Sequence, residues 1–258
     1  MAFKAVGIIP ARWDSTRFPG KPLHVIAGKP LLQHVWEQSR RAKTLANVII
    51  ATDDMRIAEA AFGWGAEVAL TSARHRSGTD RLAEVAARAR EFSHIINIQG
   101  DEPLVEPKLI DRLARELQKN RKLEMITAAH PFKDAAEAQS PHQVKVVLGL
   151  KKNALYFSRS AIPFVRDSSE RATYLRHQGI YGYTRDLLLR FVRWRPSPLE
   201  RAESLEQLRA LENGVTIRVV VTGRGSPGVD TPADAEAVER QLLSKASKSA
   251  PRNRANAR

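Results

Sequence analysis

From Val6 to Leu23 the chain reads VGIIPARWDSTRFPGKPL, and this stretch decides the fold. An apolar run, Val6 to Ile9, passes at once into a loop carrying Arg12, Arg17 and Lys21 among Ser15, Thr16 and Gly20, with Pro10, Pro19 and Pro22 limiting its freedom. It reads as a buried strand feeding a stiff cationic loop. In an open α/β sheet, ligands bind beyond the carboxyl ends of the strands, so a short basic loop there is placed to meet phosphate. A solvated surface loop can have the same composition, and the loop alone does not separate the two readings.

Outward from this loop the rhythm repeats. Leu31 to Ala42 has apolar residues at helical spacing, Asn47 to Ala51 is a short buried strand, a helix is expected near Met55 to Trp64, and another short strand at Glu67 to Leu70. Strand, helix, strand in succession predicts a mostly parallel central sheet with right-handed crossovers, flanked by helices. From Met125 the pattern changes. VKVVL and ALYFS read as antiparallel strands with no long helix between them, and they mark an insertion before GIYGY and a helix from Thr184 to Trp194. Leu199 to Asn213 reads as one amphipathic helix stopped by Gly214.

The chain has 258 residues, 43% hydrophobic and 27% charged, enough for one α/β domain with an insertion. No apolar run approaches the roughly twenty residues that cross a bilayer, and the N-terminus is too short an apolar segment for a secretory signal, so a cytoplasmic location is expected. With no cysteine, disulfides, thiolate metal sites and a Cys nucleophile are excluded. The net charge of +14 is inflated by the tail SKASKSAPRNRANAR, residues 244–258, whose five cations leave +9 for the rest. Composition predicts that this tail is unfolded, and that residues 1–243 form a single domain. No aromatic platform, zinc spacing or recognition helix accompanies the charge, which argues against a dedicated nucleic-acid partner and for small anionic ligands.

Four motifs carry candidate chemistry. In HRSGTDRLAE, Thr79 can cap a helix that Asp80 suits electrostatically, and the free N–H groups and hydroxyls of Ser77, Gly78 and Thr79 also suit ribose or phosphate. The strand HIINIQ ends in Gly100-Asp101-Glu102-Pro103, whose carboxylates could hold a hard divalent cation or simply form a turn before the helix opened by Pro107. GRGSPG, Gly223 to Gly228, matches a dinucleotide fingerprint by letter but lies outside a first βαβ unit and opens no helix. In the GVDTP that follows, Thr231 caps and Pro232 begins the last helix. Asp230 either tunes that helix end or faces Asp101 across the crevice. His177 is as well explained as a satisfied buried histidine as by a ligand contact.

PARWDSTRFPGKPL, ATDD, HRSGTDRLAE, NIQGDEPL, ALYFSRSAIPF, HQGIYGY, SLEQLRALENG and GVDTPAD together resemble, in order and spacing, the 3-deoxy-manno-octulosonate cytidylyltransferases, from Val6 to about Leu243. The resemblance implies a Rossmann-like nucleotidyltransferase fold. It also implies transfer of CMP from CTP to the eight-carbon acid sugar Kdo, giving CMP-Kdo and pyrophosphate on the way to lipopolysaccharide. By motif, Arg12, Ser15 and Lys21 would contact the triphosphate, and Ser77, Gly78 and Thr79 the nucleotide. Arg17, Gln99, Arg159, His177, Tyr181, Glu206 and Gln207 would shape the sugar pocket, with the Arg159 fork on the sugar carboxylate. Asp101 and Asp230 would ligate Mg2+, and with Arg12 and Lys21 they form the expected catalytic group. The element at about 154–194 resembles the family's dimerisation element and implies a homodimer. Three positions depart from the pattern: Phe164 stands where Trp is common, Gln178 where an apolar residue follows the histidine, and Ala233 where Glu is frequent. A cytidylyltransferase for another acid sugar, such as sialic acid or amino-Kdo, shares the same loop and carboxylates, and a basic polyanion-binding protein is the more distant alternative.

Overall fold

The opening apolar run becomes β1 (Ala5–Ala11), whose side chains alternate between two cores, Val6 and Ile8 facing one, Ile9 and Ala11 the other. Burial on both faces is why no polar residue interrupts it. The computed structural model describes residues 2–14, 18–167 and 172–249, with side chains as far as Ser244. After β1 come a short hairpin, β2 (Val25–Ile26) and β3 (Lys29–Pro30), then α1 (Leu31–Arg40), β4 (Leu45–Thr52), α2 (Met55–Gly63), β5 (Glu67–Leu70) and α3 (Gly78–Arg88). Next are β6 (His94–Asn97), α4 (Pro107–Lys119), β7 (Met125–Pro131), β8 (Lys145–Leu148), β9 (Ala154–Ser158) and β10 (Leu175–Thr184). The chain finishes with α5 (Arg185–Phe191), α6 (Pro198–Glu203), α7 (Gln207–Glu212), β11 (Ile217–Val221) and α8 (Pro232–Ser249).

The main sheet has the order β11-β7-β10-β6-β1-β4-β5, parallel throughout except at β10, which runs antiparallel to both neighbours. The expected mixed α/β architecture is therefore present. Helices α1, α2 and α4 cover one face through Leu32, Val35, Ile57, Ile110 and Leu113, while α3, α5 and α7 cover the other through Leu82, Val85, Leu187, Leu188 and Leu208. Each such side chain, fully buried, contributes roughly 1.5–3 kcal/mol before the entropy of ordering is subtracted. The insertion is the antiparallel pair β8 and β9, joined to β10 through Arg176 and Lys145. It reverses the direction of the chain, so β10 enters the sheet pointing the other way. Tyr181 pairs with Asn97 near the end of β6, which leaves Leu175 to Gln178 beyond the carboxyl end of that strand.

Two expectations are corrected. The stretch from Leu199 to Asn213 is two helices rather than one. Ser204 adopts a left-handed conformation (φ 51°, ψ 48°) between them, and the Glu203 carboxylate turns away to the Ser158 hydroxyl (2.6 Å) and the Arg159 N–H (2.9 Å). These tertiary bonds outweigh the helical periodicity that runs through both segments. Helix α3 is capped by Ser77 rather than Thr79: Ser77 Oγ accepts from Asp80 N and Asp80 Oδ2 from Ser77 N, both at 3.1 Å, a reciprocal capping box. At the C-terminal end, α8 runs beyond Ser244, where the composition turns basic, as far as Ser249.

Candidate active site

Lys21 lies in a single helical turn, Lys21–Leu23, that Gly20 opens in a left-handed conformation with φ 70°. Its ammonium donates to Asp101 Oδ2 at 2.7 Å and to the Val229 carbonyl at 2.9 Å, and stands 3.6 Å from Asp230 Oδ1. Three residues scattered along the chain thus meet at one point beyond the carboxyl ends of β1 and β6. Gly100 makes the approach possible, because a Cβ there would lie 2.9 Å from the Pro10 carbonyl oxygen. The Val229 side chain is buried with Phe18, Ile26, Leu31, Ala235 and Val238, which anchors the segment carrying Asp230 on the β2–β3 hairpin side.

The convergence bears on a cation. Among the described residues no group of three or more histidines and carboxylates is gathered as for a metal. Asp101 and Asp230 nevertheless share one positive charge, that of Lys21, which stands in for a cation between them. Two oxygen donors of this kind fit magnesium, which takes few protein ligands and fills its remaining positions with water and phosphate oxygens. Adjacent Glu102 is half-buried, and desolvation together with the Asp101 charge pushes its carboxyl up to about 8.

Arg12 reaches across the mouth of the sheet and donates to the carbonyls of His75 (2.9 Å) and Arg76 (3.3 Å), so it links the opening loop to the entry of α3. Ser15 and Arg17 lie outside the described residues. Behind this link, fully buried Arg81 donates to the Thr71 hydroxyl and stands 3.1 Å from Asp53 Oδ2. Nothing in the motif spacing marks that clamp: Asp53 and Arg81 are far apart in sequence and meet only because β4 and α3 pack together.

The residues assigned to the sugar are distributed differently. Glu206 accepts through Oε2 from the hydroxyl of buried Thr79, a residue assigned to the nucleotide, and also engages the Ser77 hydroxyl. Burial raises the Glu206 pKa against these hydrogen bonds, which hold it down. Gln207 begins α7 nearby, with its buried Nε2 lacking a partner among the described residues. Gln99 donates to the Gly179 carbonyl at 2.9 Å, which ties the end of β6 to the irregularity in β10. Arg159, the expected carboxylate fork, is engaged elsewhere: Nε donates to the Glu203 carbonyl (2.7 Å), and its two terminal nitrogens to Pro141 (3.0 Å) and Ser204 (3.3 Å).

His177 lies edge-on to Phe157 (centroids 5.0 Å apart) and 5.3 Å from the Tyr181 ring. Burial pushes its pKa down to about 3, so the ring is neutral. The Thr127 hydroxyl stands 3.0 Å from its Nε2 and also reaches the carbonyls of Ile180 (2.8 Å) and Gln178 (3.2 Å). Burial also raises the Tyr181 phenol well above its ordinary value, with the Glu206 charge adding to the effect.

The fold and the meeting of Lys21, Asp101 and Asp230 define a nucleotidyltransferase. A family model described as Cytidylyltransferase matches residues 6–217. The 3-deoxy-manno-octulosonate cytidylyltransferase of Geobacter sulfurreducens is 50% identical over 245 residues, covering 91% of this chain and 98% of the relative. That of Syntrophobacter fumaroxidans is 52% identical over 239 residues, covering 91% and 95%. A CMP:2-keto-3-deoxy-manno-octonic acid synthetase solved in complex with CTP superposes with a TM-score of 0.91 at 44% identity, covering 94% of this chain and 99% of that one. A Leptospira borgpetersenii cytidylyltransferase, at 19% identity and TM-score 0.63, shares the fold. The chain belongs to the 3-deoxy-manno-octulosonate cytidylyltransferase family. Among the described residues no helix is long and apolar enough to cross a membrane.

Proposed function

We propose that the protein transfers CMP from CTP to the anomeric hydroxyl of Kdo, releasing pyrophosphate and supplying CMP-Kdo for lipopolysaccharide synthesis. The observation that carries this reading is the convergence of Lys21 with Asp101 and Asp230, 2.7 and 3.6 Å from one ammonium, in a chain of this family.

The sugar oxygen forms a bond to the α-phosphorus of CTP, the bond to the β-phosphate oxygen breaks, and the hydroxyl proton passes to solvent. Negative charge grows on the departing pyrophosphate, so positioned cations and donors dominate the rate. Lys21 is the ammonium at the strand end that meets this charge, held in line by the Val229 carbonyl. Arg12 keeps the entry of α3 against the opening loop, so that Ser77 and Gly78 face the nucleotide from a fixed frame, while the buried Thr79 holds that frame through Glu206. Asp101 and Asp230 would hold Mg2+. Bound there, the ion neutralises phosphate charge and lowers the pKa of an attacking hydroxyl.

The inserted element exposes Phe164 (87%) and Leu155 (65%), apolar area that a second copy of the chain would cover, and this supports a homodimer. A cytoplasmic location agrees with substrates of this kind. Pyrophosphate release measured with CTP, magnesium chloride and a panel of sugar acids tests the proposal. Turnover is expected with Kdo, and inertness towards Kdo alongside turnover of another sugar acid would overturn it.

A further inference from the structure

Resting on the function just given, we propose that Arg176 binds the carboxylate of the sugar acid, in a cleft it forms with His130, Gln178 and Ser226 beside Asp101 and Asp230. The cleft has a volume of about 180 Å³ and lies at the carboxyl end of β6, where β10 begins. Arg176 is its one lining arginine or lysine. Among the described residues its guanidinium has no hydrogen-bond or ion-pair partner, and its influence on Glu102 and His130 is through space.

Position separates this cation from the other two. In the sheet, β6 stands between β1 and β10. Lys21 therefore approaches the Gly100–Pro103 turn from the β1 side, with Arg12 farther along that side at the entry of α3, and Arg176 approaches it from the β10 side. The triphosphate needs the first pair, which leaves Arg176 for a second anion on the opposite flank of the same carboxylates. The second substrate is such an anion. In the ring form of a 2-keto acid, the anomeric hydroxyl and the carboxylate sit on one carbon, so a carboxylate held at Arg176 keeps the nucleophilic oxygen one carbon away, next to Asp101 and Asp230. A guanidinium fork suits a planar carboxylate better than an ammonium does.

The rest of the cleft is built to receive polar groups. Ser226 Oγ is buried with no partner among the described residues, a group whose desolvation is unrewarded until something donates or accepts there. Gln178 is 6% exposed and is steadied by its amide donating to the Thr222 hydroxyl at 2.8 Å. Gly225 packs flat on the His130 ring, where a Cβ would clash with it, so the GRGSPG segment forms the cleft wall instead of a dinucleotide loop. Three of the five N–H groups of Arg159 already donate to backbone carbonyls, through Nε and both terminal nitrogens, whereas the Arg176 guanidinium has no such partner among the described residues.

The test is steady-state pyrophosphate release with CTP, magnesium chloride and Kdo on wild type, Arg176→Ala, Arg176→Lys and Arg159→Lys. Losing a charge-assisted contact should raise KM for Kdo roughly 10- to 100-fold in Arg176→Ala while KM for CTP moves no more than about twofold. Arg176→Lys should recover part of the loss, and guanidinium added to the Ala variant should restore part of its rate. Arg159→Lys should lower the melting temperature without a selective rise in KM for Kdo. The assignment is overturned if Arg176→Ala leaves KM for Kdo unshifted, if KM for CTP rises equally, or if the selective effect appears at Arg159. Should the Ala variant melt below the assay temperature, Arg176→Gln gives the same readout. Wild type inert towards Kdo is failure of the function, whereas wild-type turnover with an unshifted Arg176→Ala is failure of this assignment alone.

Discussion

The two flanks of the β6 turn make the same kind of site by opposite means. On the β1 flank, polar side chains stand within reach of one another across a gap: Lys21 spans Asp101, Val229 and Asp230, and an incoming phosphate or cation can exchange with these contacts. On the β10 flank, most polar side chains are already occupied. Arg159 holds three carbonyls, His177 faces a threonine hydroxyl, and Glu206 receives Thr79 and Ser77. The difference teaches that one flank is arranged to exchange partners and the other to keep its shape. Charge removal should therefore act on rate on the first flank. On the second it should act on geometry and stability where the side chain is already occupied, as at Arg159, and on sugar binding at Arg176, which has no partner among the described residues.

The largest effect should come from the carboxylates. Asp101→Asn or Asp230→Asn is expected to lower turnover by roughly 100- to 10,000-fold, with melting temperature and far-ultraviolet circular dichroism close to wild type. Pyrophosphate release checks this, and near-normal activity in both variants would remove the metal from these residues. Lys21→Met comes next, with kcat/KM for CTP down by roughly 100-fold. A compensating rise in stability would not sink the idea, because the ammonium also partners Asp101, but an unchanged kcat/KM would.

On the other flank, Thr79→Val should cost about 1 kcal/mol of stability by taking one of two hydroxyl donors from the half-buried Glu206, readable as a shift in urea midpoint. If turnover collapses while stability holds, Thr79 belongs with the first flank instead. His177 gives a smaller, pH-dependent signature. Its pKa in the folded chain, about 3, lies below the ordinary histidine value of about 6.5, so the unfolded chain takes up the proton first. Its contribution is intact above about pH 6.5 and is lost as pH falls towards 3. The urea midpoint of wild type should thus drop between pH 7 and pH 5 more than that of His177→Gln; parallel curves would show that the ring is not held neutral. The smallest effect is expected from deleting residues 244–258, none of which is assigned to the site, and this should leave kcat/KM within roughly twofold. A large loss would instead support the polyanion-binding alternative.

The same division governs what could be read from the chain beforehand. The β1 flank is local in sequence: a strand, its loop and the turn after β6 each announce themselves by composition, and only their meeting needs the fold. The β10 flank depends on side chains whose partners are set by packing. The periodicity of residues 199–213 cannot reveal that Glu203 is drawn to β9 and breaks the helix at Ser204. The motif resemblance points to Arg159 as the carboxylate fork and passes over Arg176. The backbone carbonyls that surround one and leave the other open are invisible in the letters. Arg81 and Asp53 escape for the same reason, since a buried ion pair has no motif.

The bond from Lys21 to the Val229 carbonyl spans 208 residues. At about 5–20 residues per second on the ribosome, roughly 10–40 s pass between the emergence of the two ends of that contact. During that interval the β1 loop and its cations are already made, but Asp230 does not yet exist. A growing or truncated chain can therefore offer CTP only half of a reaction centre. On the proposed role of Asp230, the nucleotide becomes consumable only once the segment after β11 has joined Lys21 and Asp101, so completion of synthesis would itself turn the chemistry on.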